Sequence, residues 1–324
     1  MNSHDQIEAL ARRVIDGGKI TIQEAQFLLN YPDLRVLASF ANDITRALHR
    51  DVVDVEALLN AKSGRCPEDC SFCAQSSFYD TGINKYPLLP TTAIIENAVK
   101  AKEAGASNFC LVCAYREPPQ ADFEQICSTI VKLKEELQME VNVSLGFMTL
   151  ERAKRLKEIG VKRYNHNLEA APSMFSRICR THDFSDRVST AKIVKQAGLE
   201  LCSGGIIGMG ENALQRLELA FALAELEPEE VPINFLIARE GTPLQGAEAI
   251  DQEDAIRTIA VWRFILPKSI IKIAGGREVH LKDKDGFALK AGANGIIIGG
   301  YLTTGGNESE RDLAMIKQIG LSPS

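Results

Sequence analysis

The chain has 324 residues, 45% hydrophobic and 25% charged, ordinary proportions for a soluble globular protein and enough length for two average domains or one large α/β barrel. Lys and Arg total 37 against 43 Asp and Glu, a net charge of -6 with no dense basic stripe, which argues against nucleic acid as the main partner. No apolar run is long enough to mark a membrane span, and no fixed short period marks a coiled coil or a collagen-like repeat.

Residues 1–11 are polar, carry Asp5 and Glu8, and lack the basic and then apolar stretch of a secretory leader. A cytoplasmic location is the expectation. In a reducing compartment the 8 cysteines point to metal binding or catalysis rather than to a disulfide framework.

Residues 1–50 read as helices. Thr21-Ile22-Gln23-Glu24 fits a capping box, followed by the apolar positions Ala25, Phe27, Leu28 and Leu29. A second helical stretch, 34–49, follows Pro32. From residue 52 short apolar runs alternate with longer amphipathic stretches. Strands are expected at 52–59, 108–114, 140–145, 163–168, 200–206, 232–237, 270–274 and 295–298. Helices are expected near 92–104, 121–137, 149–158, 186–197, 211–225, 251–264, 283–291 and 308–318.

Gly closes a helix just before a strand at Ala104-Gly105, Ile159-Gly160, Ala197-Gly198 and Ala291-Gly292. Eight βα units over about 250 residues match a (β/α)8 TIM-type barrel, class α/β, and an open doubly wound sheet is the alternative. The expected organisation is an N-terminal helical extension, residues 1–50, followed by a barrel with a C-terminal helix, residues 51–324.

The segment Cys66-Pro67-Glu68-Asp69-Cys70-Ser71-Phe72-Cys73 sets three thiols in the loop after the first strand. In a barrel that is the C-terminal face, where active sites are built. A structural zinc site would show a fourth local ligand or two separated pairs. Three thiolates suit three irons of a 4Fe–4S cluster, leaving the fourth open for a cofactor. For the spacing alone, a zinc site or a simple redox centre is the lesser alternative, since ligand spacing underdetermines the metal.

This C-x3-C-x2-C run, with an aromatic before the last Cys, resembles the radical S-adenosylmethionine (SAM) enzymes. Further segments narrow the resemblance: Lys62-Ser63-Gly64-Arg65-Cys66, Tyr164-Asn165-His166-Asn167-Leu168-Glu169, Cys202-Ser203-Gly204-Gly205-Ile206-Ile207-Gly208-Met209-Gly210-Glu211, Val231-Pro232-Ile233-Asn234 and Gly275-Gly276-Arg277-Glu278. Together they resemble the biotin synthase family from about residue 50 to the C-terminus. The resemblance implies a 4Fe–4S cluster on Cys66, Cys70 and Cys73 that binds and reductively cleaves SAM. The resulting 5′-deoxyadenosyl radical would take hydrogens from dethiobiotin, and an auxiliary cluster would supply sulfur. No catalytic residue beyond the cluster ligands is expected.

Asn165, Asn167 and Glu169 share one parity on the fourth strand, so they are expected to face one side, either as a site or as a polar barrel layer. By resemblance Asn167 and Glu169 hold the SAM ribose, and Asn165 and Asn167 line the dethiobiotin ureido site. Amides suit a cyclic urea because they donate and accept at once. His166, of opposite parity, reads as a packing or surface residue. Arg187 would meet the SAM carboxylate, although alone it reads as a solvated helix residue. Gly205, Ile206 and Gly208 would let backbone approach the cofactor, and Asn234 would line the substrate site.

The chain also departs from the family pattern. Biotin synthases of the best-known kind hold a 2Fe–2S cluster with three Cys and an Arg. Cys110 and Cys202 match two of those positions, but Asn142 and Lys272 occupy the other two. Cys113 and Cys179 are candidate replacements. The expectation is an auxiliary cluster on Cys110, Cys113, Cys179 and Cys202, four-iron and able to carry an extra sulfide, in preference to 2Fe–2S. The alternative is that some of these are buried free cysteines. Cys127 lies in a helical pattern and is expected to pack. Related radical enzymes that mature metal cofactors or build amino acids are the nearest rival reading, and a non-catalytic iron–sulfur or zinc protein is the second. The resemblance also implies a homodimer and a reducing flavodoxin or ferredoxin.

Overall fold

The computed structural model describes residues 2–303 and 305–324. Three helices, α1 (Ser3–Ile15), α2 (Ile22–Leu29) and α3 (Leu34–His49), lead into strand β1 (Val52–Lys62). The capping box at α2 forms as the sequence suggests: Thr21 Oγ1 accepts from the Glu24 amide at 3.2 Å, and Glu24 accepts from the Thr21 amide at 2.8 Å.

Then strands and helices alternate: α4 (Thr91–Glu103), β2 (Asn108–Cys113), α5 (Gln120–Leu137), β3 (Glu140–Ser144), α6 (Leu150–Glu158), β4 (Arg163–Asn165), α7 (Phe175–Ile178), α8 (Phe184–Gln196), β5 (Glu200–Cys202), β6 (Gly205–Ile207), α9 (Ala213–Leu226), β7 (Glu230–Phe235), α10 (Gln252–Ile265), β8 (Ile270–Ile273), α11 (Arg277–His280), α12 (Asp285–Leu289), β9 (Gly295–Ile297) and α13 (Ser309–Gln318), ending at the short β10 (Ser322–Pro323). All strand pairings are parallel, and β1 pairs with both β2 and β9, so the sheet closes on itself. Glycines 105, 160, 198 and 292 all take positive φ, between 78° and 118°, the left-handed turn that releases each helix into the next strand.

The fifth strand is split. β5 touches β7 only at Cys202 and Glu230, and pairing resumes at Gly205 and Ile233. A Cβ on Gly204 would lie 1.9 Å from the Pro232 carbonyl oxygen, so only glycine allows this approach. Counted with that break, the closed ring has eight strands, the (β/α)8 architecture.

Side chains along the strands alternate in chemistry as well as in the face they take. Val55, Val231, Ile233, Ile271 and Ile273 are fully buried outward, under the helices. Their neighbours Glu56, Glu230 and Lys272 point into the barrel and are equally buried. On the outside, α3 buries Leu37, Ala41 and Ile44. Burying Leu37 or Ile44 contributes about 1.5–3 kcal/mol. Thr45 Oγ1 ties α3 to the Gly292 carbonyl at 3.2 Å. No helix among the described residues is long and apolar enough to cross a membrane.

Candidate active site at the mouth of the barrel

The loop after β1 is pinned to the loop before α8. Asp69 accepts from the amides of Arg180 and Thr181 at 2.8 and 3.1 Å, and the Ser71 amide donates to the Ile178 carbonyl at 2.9 Å. Against the cost of burial, these amides, the Cys179 thiol and the Arg180 guanidinium hold the Asp69 carboxyl far below its usual range. Lys62 Nζ braces the start of the loop, donating to the Gly64 and Ala114 carbonyls at 2.6 and 2.7 Å.

This bracing brings Cys66, Cys70 and Cys73 to the wall of a cavity of about 330 Å³. Burial pushes the Cys66 thiol up and Cys73 up to about 11. Such thiols stay neutral until a metal takes the proton's place.

Opposite them stand the expected polar residues. β4 ends at Asn165, earlier than expected, because the chain turns toward β6. Leu168 and Glu169 both donate their amides to the Gly204 carbonyl, at 2.9 and 3.1 Å, and Glu169 adopts φ +69°. Asn165, Asn167 and Glu169 all face the cavity, but through this turn rather than through strand parity. His166 lines the cavity too, while packing on Phe147 with ring centroids 5.4 Å apart.

Arg187 organises this side. It donates to the Asn167 carbonyl and to His182 Nε2, both at 3.0 Å, and its Nη2 lies 3.8 Å from Cys70 Sγ. It is far from the solvated helix residue its sequence context suggests. Glu169 Oε1 lies 3.9 Å from Arg187, and burial raises the Glu169 carboxyl.

Asn234 is part of the cavity wall, and its side chain also donates to the Gly205 carbonyl at 3.3 Å and accepts from the Gly275 amide at 3.1 Å. Ile206 is part of the cavity wall, whereas Gly205 and Gly208 are not. A Cβ at Gly205 would lie 2.7 Å from the Glu169 carbonyl oxygen, so its glycine serves backbone packing. Gly208 takes φ +91°, and its amide donates to Glu211 at 2.8 Å.

The floor holds what the sequence signal missed. Lys272 Nζ sits 2.9 Å from Asp54, 2.8 Å from Glu56 and 2.9 Å from Glu230. Arg163 shares Glu230 Oε2 with Lys272, and Asn142 donates to Glu56 at 2.6 Å. Charged residues recurring within apolar strand runs were the available signal. Burial raises the Glu56 carboxyl. Lys272 is held well above its usual value against the cost of burial, by Glu230, Glu56 and Asp54. Asn142 and Lys272 are thus committed to a charge cage.

Cys110 and Cys202 lie beside that cage. Asn165 donates to Cys110 Sγ at 3.4 Å, and the Cys202 thiol donates to Glu230 at 3.1 Å. Cys113 lines the same cavity, and burial pushes its thiol up to about 12. Cys179 corrects the expected grouping. It is absent from the cavity wall and lies behind Cys70, 3.9 Å from its sulfur, because the Asp69 contacts draw residues 179–181 onto the loop. The hydrogen bond from Cys70 and then His182 hold the Cys179 thiol down to about 4 in the metal-free chain. Cys127 is buried in α5, outside the cavity.

The cavity passes a simple test of fit for a cluster and a polar cofactor. The three unbridged thiols of the loop after β1 converge on it, with Cys110, Cys113 and Cys202 elsewhere on its wall. Glu169 Oε2 and Asn165 Oδ1 face it buried, with no partner among the described residues. Orphaned acceptors of this kind call for a donor from a bound molecule.

Known proteins match this chain in sequence and in fold. Residues 61–223 match the Radical SAM superfamily, and 232–322 match the Biotin and Thiamin Synthesis associated domain. The fold superposes on methylornithine synthase with a TM-score of 0.85 over 97% of both chains, at 22% identity. It superposes on the FeFe-hydrogenase maturase HydG from Carboxydothermus hydrogenoformans with a TM-score of 0.83, over 99% of this chain and 79% of that one, at 17% identity. Fold and site together define a radical SAM enzyme, with the 4Fe–4S cluster and SAM that the class carries. In sequence the chain is 50% identical to the biotin synthase of Nitrosopumilus maritimus over 99% of both chains, and 48% identical to that of Cenarchaeum symbiosum over 95% of this chain and 97% of that one. It belongs to the biotin synthase family.

Proposed function

We propose that this chain inserts sulfur into dethiobiotin to form biotin, using SAM as the radical source. The observation that carries this reading is the convergence of three thiols and two orphaned buried acceptors on one cavity, in a chain of this family. Cys66, Cys70 and Cys73 would hold the 4Fe–4S cluster, which supplies the electron that cleaves SAM. Glu169 Oε2 and Asn167 would hold the ribose hydroxyls, and Arg187 would meet the carboxylate while orienting Asn167. Asn165 Oδ1 would accept from an N–H of the substrate urea, with Asn167 beside it. Ile206 would give an apolar wall, Asn234 would line the substrate site, and Gly205 and Gly208 would hold the surrounding backbone in place.

Cys110, Cys113 and Cys202 would hold an auxiliary iron–sulfur cluster that supplies the sulfur. A four-iron cluster with three irons on these thiolates is favoured over the 2Fe–2S arrangement, because Asn142 and Lys272 occupy the two remaining ligand positions of the latter and are tied to Glu56. Residues 1–50 would act as a helical cap and residues 51–324 as the catalytic barrel. A reducing flavodoxin or ferredoxin would deliver the electrons, and a homodimer is the proposed assembly.

The test starts from anaerobic protein with Cys66, Cys70 and Cys73 all changed to Ala. About four irons per chain should remain, with SAM cleavage and biotin formation both abolished. The parent chain should release 5′-deoxyadenosine and biotin from dethiobiotin under reducing conditions. Cleavage without biotin would overturn the substrate, and no remaining iron would overturn the auxiliary cluster.

A further inference from the structure

Cys179 stands outside the cavity, yet its surroundings are not those of an inert core thiol. It is 4% exposed. Its sulfur lies 3.9 Å from Cys70 Sγ, 3.3 Å from Asp69 Oδ1, 3.4 Å from Thr181 Oγ1 and 3.3 Å from His182 Nδ1.

The neighbours determine where the protons sit. Arg187 can only donate, so His182 Nε2, 3.0 Å from its Nε, is an acceptor. The imidazole proton is therefore on Nδ1, facing Glu68 Oε2 at 2.5 Å and the Cys179 sulfur. Asp69 Oδ1 already accepts from the amides of Arg180 and Thr181. Without iron, the Cys179 S–H points to Asp69 Oδ1 and the Cys179 sulfur accepts from the Cys70 thiol. With iron on Cys70, that cysteine's sulfur has no proton and can only accept, and Asp69 keeps its two amide donors when the Cys179 S–H turns to Cys70.

Resting on the reading that Cys66, Cys70 and Cys73 hold the 4Fe–4S cluster, we infer that Cys179 is a positioning residue for it. Its thiol donates a hydrogen bond to the Cys70 sulfur, beside Arg187 Nη2 at 3.8 Å. Hydrogen bonds to cluster sulfurs are among the determinants of reduction potential. Donors on Cys70 favour the more negative, reduced cluster. The thiol thus eases loading of the electron that SAM cleavage needs, without binding iron itself.

The experiment is a redox titration of the full chain, loaded anaerobically and followed by electron paramagnetic resonance, with iron content measured in parallel. The signal to follow is the one that changes when SAM is added. In Cys179→Ala the reduction equilibrium should become about tenfold less favourable, about 59 mV lower for a one-electron couple. Cys179→Ser keeps a donor and should recover part of the shift. Iron per chain should match the parent in both. Cys179→Val fills the space without a donor and carries the same expectation if the alanine variant does not fold. An unshifted potential overturns the inference, and so does a loss of iron, which would make Cys179 a ligand. A parent chain with no SAM-responsive four-iron signal would overturn the cluster reading as well.

Discussion

Lys272 Nζ and Glu230 Oε2 face each other at 2.9 Å with both side chains fully excluded from solvent. They stand where the barrel strands β7 and β8 run side by side, and each has further partners of opposite charge. Removing one partner of such a pair leaves an uncompensated buried charge.

Lys272→Met is therefore expected to lower unfolding stability by about 3–5 kcal/mol, measured by denaturant titration. Adding Glu230→Gln and Glu56→Gln to the same chain should recover much of the loss, because fewer charges are then stranded. If the single variant is as stable as the parent, the cage is not the electrostatic unit its geometry indicates.

Glu169→Gln replaces the orphaned carboxylate oxygen with an amide. Hydrogen bonds to a charged group contribute about 1.5–3 kcal/mol. SAM affinity should fall about 10–100-fold in anaerobic equilibrium dialysis, with iron content unchanged. Unaltered affinity would remove Glu169 from the cofactor site.

Gly205→Ala and Gly208→Ala should part company. At Gly205 the new Cβ meets the Glu169 carbonyl oxygen and Leu219 Cδ2, both at 2.7 Å. Overpacking of this kind costs about 1–3 kcal/mol and should displace Glu169, weakening SAM binding as well. At Gly208 the nearest atom is 3.7 Å away, so the cost comes from φ +91° alone, about 1–2 kcal/mol. SAM binding should survive that change. Calorimetry and the same dialysis measurement separate the two.

His49 links acid stability to the N-terminal helices. Burial, and then the Arg263 charge, push its imidazole down to about 4. Its Nε2 lies 2.8 Å from the Pro267 carbonyl and 3.2 Å from Arg263. A folded value below the unfolded one means the contribution is whole above about pH 6.5 and is lost as pH falls toward 4. With partial solvent screening it amounts to about 1–2 kcal/mol. Denaturant midpoints at pH 7.5 and pH 5 should differ less in His49→Gln than in the parent. Equal slopes would show that His49 stays neutral in both states.

Much of this molecule was legible before folding was considered. The α2 capping box, the four helix-ending glycines and the eight strand positions are local signals, each carried by residues within a few places of one another. The three-cysteine loop after β1 was legible for the same reason. The early end of β4 was not, because Glu169 turns only when Gly204 of another strand offers its carbonyl to two amides. Asn165, Asn167 and Glu169 reach the cavity through that turn.

The sequence by itself determined the eight strand positions, the main helices between them and the cysteine spacing, since these depend on neighbours along the chain. The short α7, α11 and β10 and the split of the fifth strand were not legible in it. Tertiary structure decided which distant groups meet. Lys272 and Glu56 are 216 residues apart, and barrel closure alone sets them at 2.8 Å. Cys179 and Cys70 are 109 apart, and the Asp69 hydrogen bonds place that thiol behind the loop rather than on the cavity floor. A thiol, a carboxylate or an ammonium group is written in the sequence, but its partners are chosen by the one packing in which every buried charge finds another.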